Sequence, residues 1–123
     1  MDPRQKSPDA SHPITVTPTG KRVVVAIGDT VIADTAEALT LQESTYPAVQ
    51  YVPLAAVDPA MLGASGHHTY CPFKGEADYF HLGRDGEREN SVWIYRAPYD
   101  AVAAIKDHVA FYPDGVQVTV ADT

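Results

Sequence analysis

Short alternating segments, punctuated by proline and glycine at intervals of about ten residues, decide what this chain can fold into. Ten prolines and eight glycines are spread along its 123 residues. Between them valine, isoleucine, threonine and tyrosine are plentiful, and these fit a pleated, half-buried strand better than a helix. Ile14-Thr15-Val16-Thr17 alternates and is closed by Pro18. Lys21 to Ile27 puts Val23, Val25 and Ile27 on one face, because successive strand side chains point to opposite sides. Gly28-Asp29 then turns the chain into Thr30-Val31-Ile32-Ala33, a hairpin signature. Ala38 to Glu43 and Val49 to Val52 follow as two more short strands.

The second half repeats the pattern. Ala77 to Leu82 and Ser91 to Arg96 flank the charged turn Arg84-Asp85-Gly86-Glu87. Tyr79 and His81 share one face of the first strand, with Phe80 and Leu82 on the other. Trp93 and Tyr95 lie together on the second, opposite Val92 and Ile94. Val109 to Tyr112 and Val116 to Val120 stand on either side of an Asp114-Gly115 turn. Asp58-Pro59 predicts a cap and first helical position, and Asp100 predicts the cap of a second short helix reaching Lys106. The expectation is a mainly β, compact antiparallel domain over residues 14–121 with one or two short helices. Residues 1–13, rich in proline, serine and charge, are expected to be a mobile tail.

Composition narrows the function classes. A chain of this length can bury a real hydrophobic core, and its 45% apolar and 20% charged residues are those of an ordinary globular protein. Acids outnumber bases by 16 to 9, a net charge of −7, and the bases form no stripe. Duplex binding relies on lysine and arginine against phosphate, so nucleic acid is excluded as the expected partner. One cysteine makes no internal disulfide. The first thirteen residues lack the apolar run of a signal peptide, and no segment nears the roughly 20 apolar residues that span a bilayer. A cytoplasmic protein without membrane contact is the expectation.

One segment concentrates reactive groups and turn formers: Thr69-Tyr70-Cys71-Pro72-Phe73-Lys74-Gly75. An ammonium near a thiol favours the thiolate, so Cys71 and Lys74 are the candidate catalytic pair. Free cysteine is among the most buried residue types, and a lone cysteine is more often structural, so a packing role for Cys71 outweighs the nucleophile. Lys74 beside Gly75 is suited to holding an anionic or polar group. Glu43, an acid closing an apolar strand, can stand opposite Lys74, or be an edge charge that discourages aggregation. Tyr51, Tyr79, Trp93 and Tyr95 are either core or the wall of a concave site, since each has an apolar face and a polar tip.

Metal and cofactor chemistry find less. His67 and His68 are adjacent and would point to opposite faces of a strand. No Cys-x-x-Cys pair exists for zinc. No Gly-x-x-x-x-Gly-Lys phosphate loop occurs, and the nearest acidic pairs are Glu76-x-Asp78 and Glu87-x-Glu89. Glu76 and Asp78 would share a strand face and could hold one ion, whereas Glu87 and Glu89 belong to a solvated turn. No metal and no cofactor is expected.

Four separated motifs occur in order: Tyr51-Val52-Pro53; Thr69 with Cys71-Pro72-x-Lys74-Gly75-x-Ala77-x-Tyr79; Trp93-x-Tyr95-x-x-Pro98; and Ala110-Phe111-Tyr112. Together they resemble a bacterial and fungal family known as a domain of unknown function, number 427 in that series, over about Arg22 to Val120. The resemblance implies a small β-complex or β-tent fold, related in shape to Mss4-like domains. It also brings a nucleotidyltransferase-like label, which the acidic pairs above do little to support. The expected function is binding of a small polar or anionic molecule in an aromatic-lined pocket formed by Glu43, Tyr51, Cys71, Lys74, Tyr79, Trp93 and Tyr95. The alternatives are a metal-dependent nucleotidyltransferase-like enzyme, or a module that self-associates or pairs with a partner through edge strands, giving a homo-oligomer.

Overall fold

The alternating segments become strands in the computed structural model, which describes residues 2–121. In chain order they are β1 (Ile14–Pro18), β2 (Val23–Ile27), β3 (Thr30–Thr35), β4 (Leu39–Glu43) and β5 (Val49–Pro53). The remainder are β6 (Leu62–Cys71), β7 (Gly75–Leu82), β8 (Arg88–Ile94), β9 (His108–Phe111) and β10 (Gln117–Val120). They build a seven-stranded sheet, order β1-β4-β5-β9-β8-β7-β6, and a three-stranded sheet, order β10-β2-β3. Every pairing is antiparallel. The fold is thus mainly β, as its patterning predicts.

The period of two along each strand explains why the large sheet buries both faces. On one face Val52, Leu82, Val92, Ile94 and Val109 pack against Val23, Val25 and Ile32 of the small sheet. On the other, Leu41, Tyr51, Ala77, Tyr79, Tyr95 and Ala110 form a second cluster. Val102 and Ile105, from the segment after β8, complete it. Neighbouring residues therefore serve different cores: Tyr51 and Val52, Val109 and Ala110, Ile94 and Tyr95. The expected opposition of Trp93 and Tyr95 to Val92 and Ile94 holds. The β2–β3 hairpin forms at Gly28, whose φ of 57° lies in the left-handed region that glycine enters without steric cost.

Two local expectations are corrected. Sequence patterning predicts no strand over Leu62–Cys71, yet this stretch forms β6, the longest one described. Gly63, Ser65, Gly66, His67 and His68 hide it, and its register with β7 shifts between Ala64 and His68. It lies at the sheet edge, where exposed polar residues carry no alternation to read. Helix is confined to three 3₁₀ segments among the described residues: Leu54–Ala56, Pro59–Met61 and Asp100–Ile105. Asp58 caps the second as predicted, accepting a 3.0 Å bond from the Ala60 N–H. The third begins one residue after Tyr99, which makes no side-chain cap, so Asp100 lies in its first turn rather than at its cap. Finally, β9 and β10 flank the Asp114-Gly115 turn but enter different sheets. No described helix is long and apolar enough to cross a membrane.

Ahead of β1, the segment expected to be a mobile tail is laid along the β6–β7 turn. The Lys6 N–H donates to Pro72 O at 2.9 Å, and the His12 ring stacks on Phe73 at 4.3 Å. Arg4 places its guanidinium 3.7 Å from the Tyr70 ring centroid.

The packing generates a direct expectation. Ile94→Ala, at a fully buried position between the sheets, should cost about 2–5 kcal/mol by urea denaturation. Val118→Ala, at an exposed position, should change stability by less than about 0.5 kcal/mol. Equal effects would contradict the two-sided core.

Candidate functional site

The β6–β7 turn is held by backbone before any side chain acts. The Lys74 N–H donates to Cys71 O at 3.2 Å, and the Tyr99 N–H donates to Lys74 O at 3.0 Å. Gly75, paired with Cys71, has a φ of 107°, a conformation that a side chain would strain. This turn delivers the Lys74 ammonium to the end of β4, where its Nζ donates to Glu43 Oε1 at 2.6 Å. Lys74 also lies 3.8 Å from Cys71 Sγ. The second carboxylate oxygen of Glu43 is bonded to His12 Nε2 at 2.7 Å. An ionised carboxylate only accepts, so His12 carries its proton on Nε2 there.

Lys74 and Glu43 are only 12% and 15% exposed, which makes this a half-buried ion pair rather than a surface one. Burial raises the Glu43 pKa, but hydrogen bonds from Lys74 and then His12 outweigh it and hold the carboxyl below its usual range. Glu43 is therefore ionised near neutral pH, and its bond to the Lys74 ammonium makes the pair neutral as a unit.

Beside the pair opens a cavity of about 270 Å³. Leu41, Tyr51, Tyr79 and Tyr95 contribute its buried lining, and Pro47, Val49 and Trp93 its half-buried or exposed apolar walls. Tyr46 and Tyr112 stand at its exposed rim. The placement follows from strand alternation: Leu41 and Glu43 share a face of β4, and Val49 and Tyr51 share a face of β5. Tyr79 and Trp93 are direct register partners of β7 and β8.

The phenols are oriented by bonds beneath the surface. The Trp93 Nε1–H donates to Tyr51 Oη at 3.0 Å, which leaves the Tyr51 proton to be donated elsewhere. Thr69 Oγ1 and Tyr79 Oη share a bond of 2.8 Å. Burial pushes Tyr51 up to about 12, against a lowering contribution from Trp93. Burial also pushes Tyr95 far above its ordinary value, with the Tyr51 phenol adding to it. Tyr112 rises to about 12, first by burial and then by its Tyr79 neighbour. These three hydroxyls stay protonated at neutral pH. They offer the cavity hydrogen-bond donors on an apolar frame.

Six of the seven residues named from sequence, Glu43, Tyr51, Lys74, Tyr79, Trp93 and Tyr95, line this one cavity. Cys71 does not; its thiol packs against the second core cluster under Lys74. His81 is also elsewhere, with Nδ1 accepting from the Asn90 N–H at 3.1 Å. His12 was missed. It lies 31 residues from Glu43 in sequence, and no local pattern marks it. Tyr46 and Tyr112, not named as ligand contacts, join the site at its rim.

Among the described residues, one group has metal-ligand geometry: His68, Glu76 and Asp78, whose ligand atoms lie within 4.8 Å of one another. It is outside the cavity lining. His68 Nδ1 is 2.8 Å from Asp78 Oδ1, and Arg96 Nε stands 3.4 Å from the other Asp78 oxygen. The bonds within the group already satisfy much of it.

Because the folded Glu43 pKa is depressed, the carboxylate contributes stability above its unfolded pKa, and that contribution is lost as pH falls through the folded value. Glu43→Gln should therefore cost about 1–3 kcal/mol at neutral pH. The gap between parent and variant should shrink as pH drops from about 6 towards about 3. Urea midpoints across that range check it; a constant gap would remove the ion pair as the cause.

The chain belongs to the family described as a domain of unknown function (DUF427), whose sequence model matches residues 15–122. No curated protein matches the chain.

Proposed function

We propose that this member of the DUF427 family binds a small polar molecule in the cavity between the Glu43–Lys74 pair and the aromatic residues Tyr51, Tyr79, Trp93 and Tyr95. The observation that carries the reading is the convergence of separated segments on one concave space. Residues from each of the four motifs, Tyr51, Lys74 and Tyr79, Trp93 and Tyr95, and Tyr112, border a single cavity together with Glu43. An apolar frame with few convergent polar groups is the usual composition of a small-molecule site, and about 270 Å³ is at its small end.

The ion pair refines the ligand class. Lys74 is already neutralised by Glu43, so a free anion would have to displace a carboxylate at 2.6 Å. A neutral or zwitterionic molecule can instead accept from Lys74 and donate to Glu43 while leaving the pair intact. Protonated Tyr51 and Tyr95 add donors without adding charge. Binding alone follows from this set. Glu43 is the one carboxylate among the described residues of the lining, which argues against the carboxylate-held metal ions of nucleotidyl transfer.

Trp93 is the only tryptophan of the chain and borders the cavity, so its fluorescence reads occupancy. Titration against free amino acids, nucleobases and small amides, with thermal shift in parallel, should give a saturable response to at least one compound. A ligand at a hundred times its dissociation constant adds about 2.7 kcal/mol of stability if it binds the native state alone. Lys74→Ala should weaken that compound at least about tenfold, the equivalent of one lost charged hydrogen bond. Cys71→Ser should retain binding, since its sulfur is not in the lining. Unchanged affinity in the lysine variant would sink the proposal.

A further inference from the structure

A second depression of about 610 Å³ adjoins the aromatic cavity at Trp93. Tyr46, Pro47, Val49 and Trp93 border both, so the two spaces adjoin, and a ligand crossing Trp93 would occupy them as one trough. Their linings differ in kind. The first ends on the Glu43–Lys74 pair, whereas among the described residues no charged side chain lines the second. Its far wall is Val118 and Val120, two positions apart on β10 and so on the same face of that strand. These valines are 38% and 36% exposed, on a strand at the edge of the small sheet.

We propose that the trough holds an amphipathic small molecule, with a compact neutral head at Glu43–Lys74 and an unbranched aliphatic tail running past Trp93 to Val118 and Val120. The inference rests on the reading of the first cavity as a ligand site and specifies what that ligand carries. Free valences at the pair set the head. An ammonium has three N–H donors, and Lys74 directs one at Glu43 and one at Cys71, leaving one. Each Glu43 oxygen has one partner and retains a lone pair. A group offering one acceptor and one donor side by side, as a primary amide does, matches both without introducing charge. The largely apolar lining of the second depression, with Ala48, Phe111, Pro113, Val118 and Val120, sets the tail, because burying each methylene there is favourable.

The homologous primary amides butanamide, hexanamide and octanamide test this with the full chain, read by Trp93 fluorescence and titration calorimetry. Affinity should rise about threefold to fourfold per added methylene, as the transfer of a CH₂ group from water predicts. The double variant Val118→Asp/Val120→Asp should flatten that rise while leaving butanamide affinity unchanged. Val118→Thr/Val120→Thr, which keeps strand propensity and shape, should reduce it if the aspartate variant does not fold. Butanamide binding with no gain towards octanamide overturns the tail and leaves the cavity reading standing. Binding of another polar compound but no amide overturns this ligand class alone, and no response to any compound overturns both. Sedimentation alongside covers the other occupant: a dimer that octanamide does not dissociate, with flat chain-length dependence, gives the groove to a second copy and overturns the proposal.

Discussion

A seven-stranded sheet buried on both faces is the constraint from which everything else in this molecule follows. Its central strands must supply apolar residues to two sides at once, so adjacent positions are loyal to different cores. Tyr51 faces the cavity cluster while Val52 faces the small sheet, and Ile94 and Tyr95 divide in the same way. The two sides differ in chemistry. Aliphatic residues pack the inter-sheet side, and tyrosines dominate the other. Aliphatic side chains fill space without polar atoms, whereas each tyrosine brings a hydroxyl that needs a partner or an opening. No buried side-chain polar atom among the described residues lacks a partner. The tyrosine-rich face meets that requirement with Trp93, Thr69 and the cavity itself.

Charge is placed with equal economy at one end of that face. The chain is acidic overall, yet the cavity holds one acid and one base, bonded to each other. Desolvating either alone would be expensive, and together they offset much of that cost. His12 binds the other oxygen of Glu43 and stacks on Phe73, so the segment ahead of β1 touches both the pair and the β6–β7 turn. Three parts of the sequence more than 25 residues apart thus meet at one carboxylate. The turn at Gly75 and the end of β4 must keep their relative positions for the pair to exist, which ties the site to the antiparallel register of the sheet.

Much of this was legible beforehand. Short apolar or alternating segments bounded by turn formers located nine of the ten strands. This pattern failed for β6, an edge strand with glycines and histidines that faces water along much of its length. The aromatic candidates were chosen as strand residues with polar tips, and Tyr79 and Trp93 do oppose each other across the hairpin. Glu43 was placed opposite Lys74 from its position at the end of an apolar strand, and the two are in contact. Cys71 was not separable from them, since its thiol lies 3.8 Å from the Lys74 ammonium without reaching the cavity lining.

The amino-acid sequence by itself determined that the chain is an antiparallel β protein and which residues of each strand share a face, because strand periodicity is a local property of the backbone. The order of strands in the sheets was decided only in three dimensions. So were the splitting of β9 and β10 between sheets, the arrival of His12 at Glu43, and the sharing of Trp93 by two depressions. Those depend on contacts between segments far apart in the chain, where the packing of whole faces, rather than any local pattern, selects the partner.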